Sequence, residues 1–272
     1  MSDSAEALVG ELPAALPATP TWTRTWPTLA SADFFTGITL SNNGAYVSGT
    51  SYARTTDLVG GKEAKGITVR FNLDGSAGAG YGGNVWERQT PPAPGGFSYG
   101  GYEFLTGVTS ATQAGQAFIF SAGFGQVSGC DCWGSFVDKF DEAGNRLWTR
   151  SDSTTATYTL LRSSVTASAH AVYVATSMGN PATKPYIRKY DAAGTLQWTR
   201  TSAVSGNYRG VALSGTTVVA VGLAALSGGV SDFLIEAWDS SGNPIWSRTY
   251  TTLAAPLKPW MESSFWTAGP MR

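Results

Sequence analysis

FVDKFDEAGNRLWTR (Phe136–Arg150), YIRKYDAAGTLQWTR (Tyr186–Arg200) and LIEAWDSSGNPIWSR (Leu234–Arg248) are three copies of one hairpin, and they decide the fold. In each, an aspartate leads a glycine by three positions and a tryptophan by seven: Asp141/Gly144/Trp148, Asp191/Gly194/Trp198 and Asp239/Gly242/Trp246. That spacing predicts a tight turn. The aspartate bonds backbone amides at the turn entry, two residues form a type I turn, and glycine takes the left-handed position that makes a bulge. A residue with a Cβ would be strained there. An aromatic precedes each aspartate (Phe140, Tyr190, Trp238), and a β-branched residue lies four before it (Val137, Ile187, Ile235).

Two looser copies lie upstream. ITVRFNLDGSAGAGYGGNVWER from Ile67 keeps the aromatic as Phe71, puts Asn72 at the turn entry and inserts seven residues, mostly Gly and Ala, before Trp86. An insertion at a turn is tolerated because loop closure costs little with length. TWTR at Thr21–Arg24 is a fifth, leading copy of the Trp strand. Successive Trp residues are 64, 62, 50 and 48 positions apart, intervals that mark a propeller or solenoid array.

Each Asp–Gly–Trp hairpin follows another, in GITLSNNGAYVSGT from Gly37, GVTSATQAGQAFIFSAG from Gly107, SSVTASAHAVYVATS from Ser163 and GVALSGTTVVAVGLA from Gly210. The unit is therefore four antiparallel strands, which is a propeller blade, with the apolar first strand toward the channel and the Trp strand outermost. The Trp is expected to pack over the neighbouring blade, and the Arg two residues on to bond backbone or carboxylate there. The expected fold is all-β, a small β-propeller of four complete four-stranded repeats plus a leading Trp strand, giving four or five blades. The domain plan is an arm over 1–20, the propeller over 21–250 and a tail over 251–272. The tail is too short for three more strands, so Thr21–Trp26 is expected to pair with strands at the C-terminal end, in the same ring or a neighbouring subunit.

The pattern of a GIA-like strand, a Gly turn, YVSG and then aromatic-D-x-x-G-x-x-x-W-[TS]-[KR] resembles the bacterial family known as seven-bladed β-propeller repeats, over about Phe34 to Arg248. The resemblance implies a secreted or surface protein of unassigned role, with blades often fused to other modules. Quinoprotein propellers are a weaker likeness, since they need more blades and a cofactor and calcium site that this sequence does not show. The sialidase Asp box does not fit, because its Asp leads Gly by two rather than three.

Composition limits function. A chain of 272 residues with 14% charged and 12% aromatic residues suits one all-β domain that buries roughly 75% of its unfolded surface, and it does not suit disorder. A net charge of −1 without a basic block argues against nucleic acid, and no apolar run approaches a membrane span. MSDSAEALVGELPAALPATP has acidic residues and no basic start, so it does not read as a secretory signal. It fits a cytoplasmic or virion protein, or a mature secreted chain with Met1 added.

Chemistry-bearing residues are few. His170, the sole histidine, falls in the SAHAVYV turn with no nucleophile motif around it. Cys130 and Cys132 in SGCDCWG read as loop thiols; a disulfide across one residue would be strained, and two thiolates are half a zinc shell. Asp141, Asp191 and Asp239 recur with the turn and read as fold residues. Asp138, Arg188 and Glu236 share one column beside Lys139, Lys189 and Ala237, and read as solvated or cross-strand charges. No catalytic, metal or cofactor residue is expected.

The candidate site residues are the aromatics of two non-repeating segments: Phe97, Tyr99 and nearby Tyr102 around QTPPAPGGFSYGG, and Phe124 and Trp133 in SAGFGQVSGCDCWG. Aromatic loops on a rigid scaffold suit packing on a protein or stacking on a sugar, though such loops can also be plain blade connections. The expected function is a non-enzymatic structural or interaction protein of an extracellular, cell-surface or virion assembly, whose edge strands and termini serve a protein partner or self-assembly. The alternative is a carbohydrate-binding, lectin-like propeller.

Overall fold

The computed structural model describes residues 22–23, 34–41, 43–51, 64–80, 83–89, 99–127, 132–153, 162–177, 184–226 and 231–250. They form sixteen strands in four four-stranded antiparallel sheets. Blade 1 is β1 (Phe34–Ser41), β2 (Gly44–Ser51), β3 (Lys65–Phe71) and β4 (Trp86–Gln89). Blade 2 is β5 (Tyr99–Gln113), β6 (Gln116–Val127), β7 (Cys132–Asp141) and β8 (Arg146–Ser153). Blade 3 is β9 (Arg162–Ala167), β10 (Ala171–Ser177), β11 (Tyr186–Asp191) and β12 (Leu196–Thr201). Blade 4 is β13 (Gly206–Ser214), β14 (Thr217–Ala225), β15 (Ser231–Asp239) and β16 (Pro244–Tyr250). Each sheet runs in sequence order, and the first strands β1, β5, β9 and β13 neighbour one another successively, so they are innermost. This is a four-bladed β-propeller. The arm over 1–20 and the tail over 251–272 lie outside the described residues, as do all but Trp22 and Thr23 of Thr21–Trp26.

The turn chemistry is as the spacing predicts. Gly144, Gly194 and Gly242 have φ of 84°, 83° and 83°, and their N–H groups donate to the carbonyls of Asp141, Asp191 and Asp239. The aspartate side chains accept from the amides of Asn145, Thr195 and Asn243 at 2.7, 2.8 and 2.9 Å. The register slips by one just before each aspartate, at Lys139/Phe140, Lys189/Tyr190 and Ala237/Trp238, as a glycine bulge requires.

The core lies between blades rather than within one sheet. Tyr46 and Trp86 of blade 1 pack with Ile119 and Phe140 of blade 2. Phe120 and Val137 of blade 2 meet Val165, Val172 and Tyr190 of blade 3. Tyr173 and Ile187 of blade 3 meet Val218, Leu234 and Trp238 of blade 4. Blades 2 and 3 thus have a forward face toward a successor and a back face toward a predecessor, blade 1 has a described successor and blade 4 a described predecessor.

One seat recurs at each junction. Trp86, Trp148 and Trp198 lay their rings against Gly144, Gly194 and Gly242 of the next blade, where a Cβ would come within 2.8–3.0 Å of the ring. Their indole N–H groups donate to the carbonyls of Glu142, Ala192 and Ser240 at 2.9, 3.2 and 3.2 Å. Arg70, Lys139 and Lys189 donate to those same three carbonyls. Arg88, Arg150 and Arg200 donate Nε–H to the carbonyls of Gly144, Gly194 and Gly242, and their guanidinium groups stack over the Trp rings at 5.6, 5.4 and 5.5 Å. The leading Trp does the same: Trp22 donates to the Leu73 carbonyl at 2.9 Å and its ring covers Gly75, whose φ is 76°. It therefore gives blade 1 the tryptophan contact that each later blade receives from its predecessor. Its expected pairing with C-terminal strands involves residues outside those described.

The outward faces of blades 1 and 4 differ in cover: Ile67 and Val69, on the face that carries Ile38 and Leu40, are 1% and 0% exposed, so blade 1 is covered over its middle strands. On blade 1, Ile38 and Leu40 are 68% and 61% exposed; on blade 4, all seven residues of β16 are exposed. Among the described residues, no strands of blades 1 and 4 pack together as those of successive blades do.

A tryptophan in a seat should matter and one without a seat should not. Trp198→Ala should lose about 3 kcal/mol of unfolding free energy, and Trp246→Ala about 0.5 kcal/mol or less. Urea denaturation in dilute solution measures both, and equal losses would contradict the seat.

Candidate functional site

Blade 2 is longer than its neighbours, with β5, β6 and β7 of 15, 12 and 10 residues. The extra length corrects the expectation of two loops. Tyr99–Gly101 are strand residues of β5, Ser121–Val127 belong to β6 and Cys132–Gly134 to β7. The reason is alternation: Gly123 and Gly125 sit between Ala122, Phe124 and Gln126, so one face carries side chains and the other is bare. A Cβ at Gly123 would fall 2.0 Å from the Phe104 carbonyl, so this backbone approach needs glycine.

The extension assembles an aromatic cluster. Phe104 and Phe124 are cross-strand partners, with ring centroids 5.1 Å apart at 24°. Trp133 lies 5.8 Å from Phe124 and 6.4 Å from Phe104. All three rings are half-buried. Ser135, paired with Phe124, reaches Tyr186 of blade 3. The Tyr186 hydroxyl donates to Asp152 at 2.8 Å, and Arg188 pairs with that carboxylate. Burial first, and Asp152 second, hold the Tyr186 hydroxyl well above the ordinary phenol range, so it stays a donor.

Of the expected site residues, Phe124 and Trp133 come together, and Tyr102 lies 43% exposed on β5 with a parallel bridge to Ala64. Phe97 and the Tyr99 side chain lie outside the described residues. Phe104 was missed. Counting back from the Ala114–Gly115 turn puts 104 opposite 125, and only the bulge at Thr106 shifts it to Phe124. The sequence signal was the matching Thr-Gly of Thr36–Gly37, where blade 1 has the same bulge.

Cys130 lies outside the described residues, and Cys132 is described by its backbone, paired with Val127 in β7. His170 is exposed in the β9–β10 turn, its backbone N–H donating to Ser168 Oγ. Among the described residues, no three His, Cys, Asp or Glu side chains converge as a metal site.

The charged column needs correction. Asp138 and Glu236 are buried, and so is Lys139. Both faces of a blade are covered by neighbours, so alternation along a strand does not lead a polar side chain to water. Asp138 accepts from Thr149 Oγ1 and has Arg146 Nε at 3.6 Å. Glu236 accepts from the Tyr208 hydroxyl. Lys139 Nζ donates to Gln113 as well as to its seat carbonyl, over the Phe118 ring at 3.9 Å. Glu103, on β5, is likewise buried, with Lys65 Nζ at 3.6 Å.

Two open cavities lie elsewhere. One of about 600 Å³ borders Asn84, Trp86 and Glu87 beside the glycine insertion of blade 1, and its arginines, Arg70 and Arg88, already serve the seat. The other, about 410 Å³, lies on the forward face of blade 4, lined by Val221, Leu223, Phe233, Ile235 and Tyr250 with Arg209 at its rim.

Compared with protein-family models and with curated sequences, the chain shows no match. Among solved structures it is similar to the subtype N11 neuraminidase-like protein of A/flat-faced bat/Peru (H18N11), at 15% identity and TM-score 0.44, covering 78% of this chain and 52% of that one. It is also similar to a Synechocystis apocarotenoid oxygenase variant, at 9% identity and TM-score 0.43, covering 79% and 48%. A eukaryotic initiation factor follows at 10% identity and TM-score 0.33, covering 76% and 52%. The chain spans about half the length of these structures. The propeller assignment rests on its own four sheets and three repeated seats.

Burial raises the Glu103 carboxyl from 4.5 to about 7 against the opposing pull of Lys65, and raises Asp138 from 3.8 to about 6 against Arg146. Both groups keep their proton to a higher pH folded than unfolded, so the folded state binds more protons. Stability from these two is full below about pH 4 and is lost as pH rises through about 7. Glu103→Gln should lose less stability across that window than the parent. Identical slopes in urea titrations at a series of pH values would reject the buried acid.

Proposed function

We propose that the chain is a non-enzymatic interaction scaffold of an extracellular, cell-surface or virion assembly, built from bacterial-type β-propeller repeats. The observation that carries this reading is the forward face of blade 4. There Val221, Phe233, Trp246 and Tyr250 stand exposed on one face of the sheet. Contiguous exposed apolar surface on a folded protein marks a place for a partner.

The non-enzymatic part is supported by where the ionisable groups sit. The carboxylates of Asp141, Asp191 and Asp239 are engaged by turn amides, and those of Asp138, Glu103 and Glu236 are buried between strands. Arg88, Arg150 and Arg200 bond to carbonyls of the next blade. The surface location draws its support from the low charge of the sequence and from the family its repeats resemble.

A second reading, carbohydrate binding, is favoured by the Phe104/Phe124/Trp133 cluster on the extended strands of blade 2. Half-buried rings braced on rigid strands can offer a flat face to the C–H side of a sugar ring at little entropic cost.

Glycan arrays and crosslinking mass spectrometry separate the two. Under the first reading no glycan is retained, and partner crosslinks fall on β15 and β16 and disappear in Phe233→Asp. Under the second, specific glycans are retained and Trp133→Ala loses them with an unchanged melting temperature. Substrate turnover abolished by His170→Ala would overturn both.

A further inference from the structure

Blade 4 ends the described series with the donor half of a blade junction in place. Trp246 faces Ala237 across the β15–β16 ladder as Trp198 faces Lys189, and Arg248 faces Ile235 as Arg200 faces Ile187. The Arg248 guanidinium is folded back as in a filled junction. It donates NH1 to the Ser247 carbonyl at 3.0 Å, as Arg88, Arg150 and Arg200 do to Glu87, Thr149 and Thr199. Among the described residues no turn accepts the Trp246 indole N–H, and Trp246 is 40% exposed where seated Trp86 is 7%.

The cavity of about 410 Å³ on the same face follows the same rule. Val221 and Ile235 are cross-strand partners at the positions of Ala122 and Val137 on blade 2, which pack on Val165 and Val174 of blade 3. Phe233 faces Tyr250 as Ser135 faces Asp152, the pair that Tyr186 of blade 3 meets. Arg209 stands at the bulge of β13, and in the bulge of β5 Thr106 bonds the Ser163 carbonyl of β9. The cavity is therefore the space that a following sheet fills on blade 2. Its chemistry differs at one point. Blade 2 offers the Asp152 carboxylate to Tyr186 and Arg188, whereas blade 4 offers the rings of Phe233 and Tyr250, so its occupant is apolar there.

Among the described residues, no surface of the same chain is free to fill this face. The backs of blades 2, 3 and 4 are packed on blades 1, 2 and 3. On the outward face of blade 1, Ile67 and Val69 are buried, and Trp22 already fills the turn. A second copy thus has no described receiving face to lend. We infer that the forward face of blade 4 docks a blade of the same repeat class carried by a different polypeptide: a β-sheet with aliphatic middle strands, whose D-x-x-G turn takes Trp246 and Arg248. This rests on the interaction reading above and names the chemistry of the partner. The first central carbonyl of that turn accepts the Trp246 indole N–H and its glycine carbonyl accepts the Arg248 Nε–H. The glycine lies bare under the ring, as Gly194 does under Trp148.

Proton–nitrogen NMR of the full chain, titrated with a backbone-cyclised peptide that presents the Lys189–Gln197 turn, tests this. That turn is a working seat, since it holds Trp148 within this molecule. The Trp246 indole resonance, assigned by its loss in Trp246→Phe, should shift downfield and approach saturation by about 1 mM peptide. A Gly194→Val peptide should bind about tenfold more weakly or worse, and so should the parent peptide to an Arg248→Ala chain whose spectrum otherwise matches the parent. A merely sticky apolar face would not sense one glycine. Equal affinity for the two peptides, or an indole that does not move, overturns the inference. An indole that shifts when the chain alone is concentrated makes the occupant a second copy and overturns it as well. Crosslinks from β15 or β16 to residues 251–272 of the same molecule do the same by making the occupant the chain's own tail. Crosslinks to a protein without a D-x-x-G turn remove the blade-like partner and leave the interaction reading standing.

Discussion

The structure depends on a tryptophan seated on the turn of the next blade. The four sheets share no strand, and the backbone bridge between Ala64 and Tyr102 joins only blades 1 and 2, so side chains supply most of what holds blade to blade. A type I turn closed by a left-handed glycine leaves the carbonyls of its first central residue and its glycine facing outward, and it leaves the space above the glycine bare. The Trp ring fills that space, while its N–H and the following arginine take the two carbonyls. Burying most of an indole is worth about 4 kcal/mol at roughly 25 cal/mol per Å², whereas each hydrogen bond adds about 1 kcal/mol net. The ring supplies the attraction, and the bonds fix the register. The glycine is constrained twice: by its φ of 83° at Gly194, and by a Trp148 ring that leaves 2.9 Å for any Cβ.

That double constraint explains why the fold was legible. Asp, Gly and Trp recur because one needs the turn, one needs the conformation and one needs the seat, so three columns are pinned at fixed spacing. Trp22 was legible for the same reason, and its binding at Leu73 follows from the rule that places Trp86 at Glu142. Of the two readings of Asp138, Lys139 and Glu236, as solvated or as cross-strand charges, the solvated one failed, while Asp138 does meet Thr149 across the ladder. Alternation separates core from solvent only in a sheet with one wet face, and a propeller blade is covered on both. Lys139 was further disguised because it serves the seat like Lys189, a role visible only across two blades.

The candidate site was half legible. Phe124 and Trp133 stood out as aromatics in a glycine-rich stretch, but glycine suggested loop where it was thinning one face of a strand. Phe104 completes the cluster through a one-residue bulge, and a bulge changes register without a strong mark in the sequence. The blade 4 face escaped notice because nothing in β16 differs from β8 or β12. Its IWSR is as regular as LWTR or QWTR; only the absence of a successor among the described blades turns a structural column into exposed surface.

That last point links stability to function. In an array held by nearest-neighbour junctions, an end unit has one interface where an inner unit has two. Blade 1 recovers part of the deficit through Trp22, which supplies the indole of a preceding blade without its sheet. Blade 4 has no such cap among the described residues, since its forward donors project from the fully exposed β16. Among the described blades, blade 4 is therefore the one whose forward donors meet no described turn, and the one with the most to gain from a partner. Segments that change partners are drawn from the low-stability end of a fold. Here repetition itself provides such a segment: a sequence optimised to join blade to blade leaves, wherever the series stops, one set of donors and one apolar face shaped for a turn like its own.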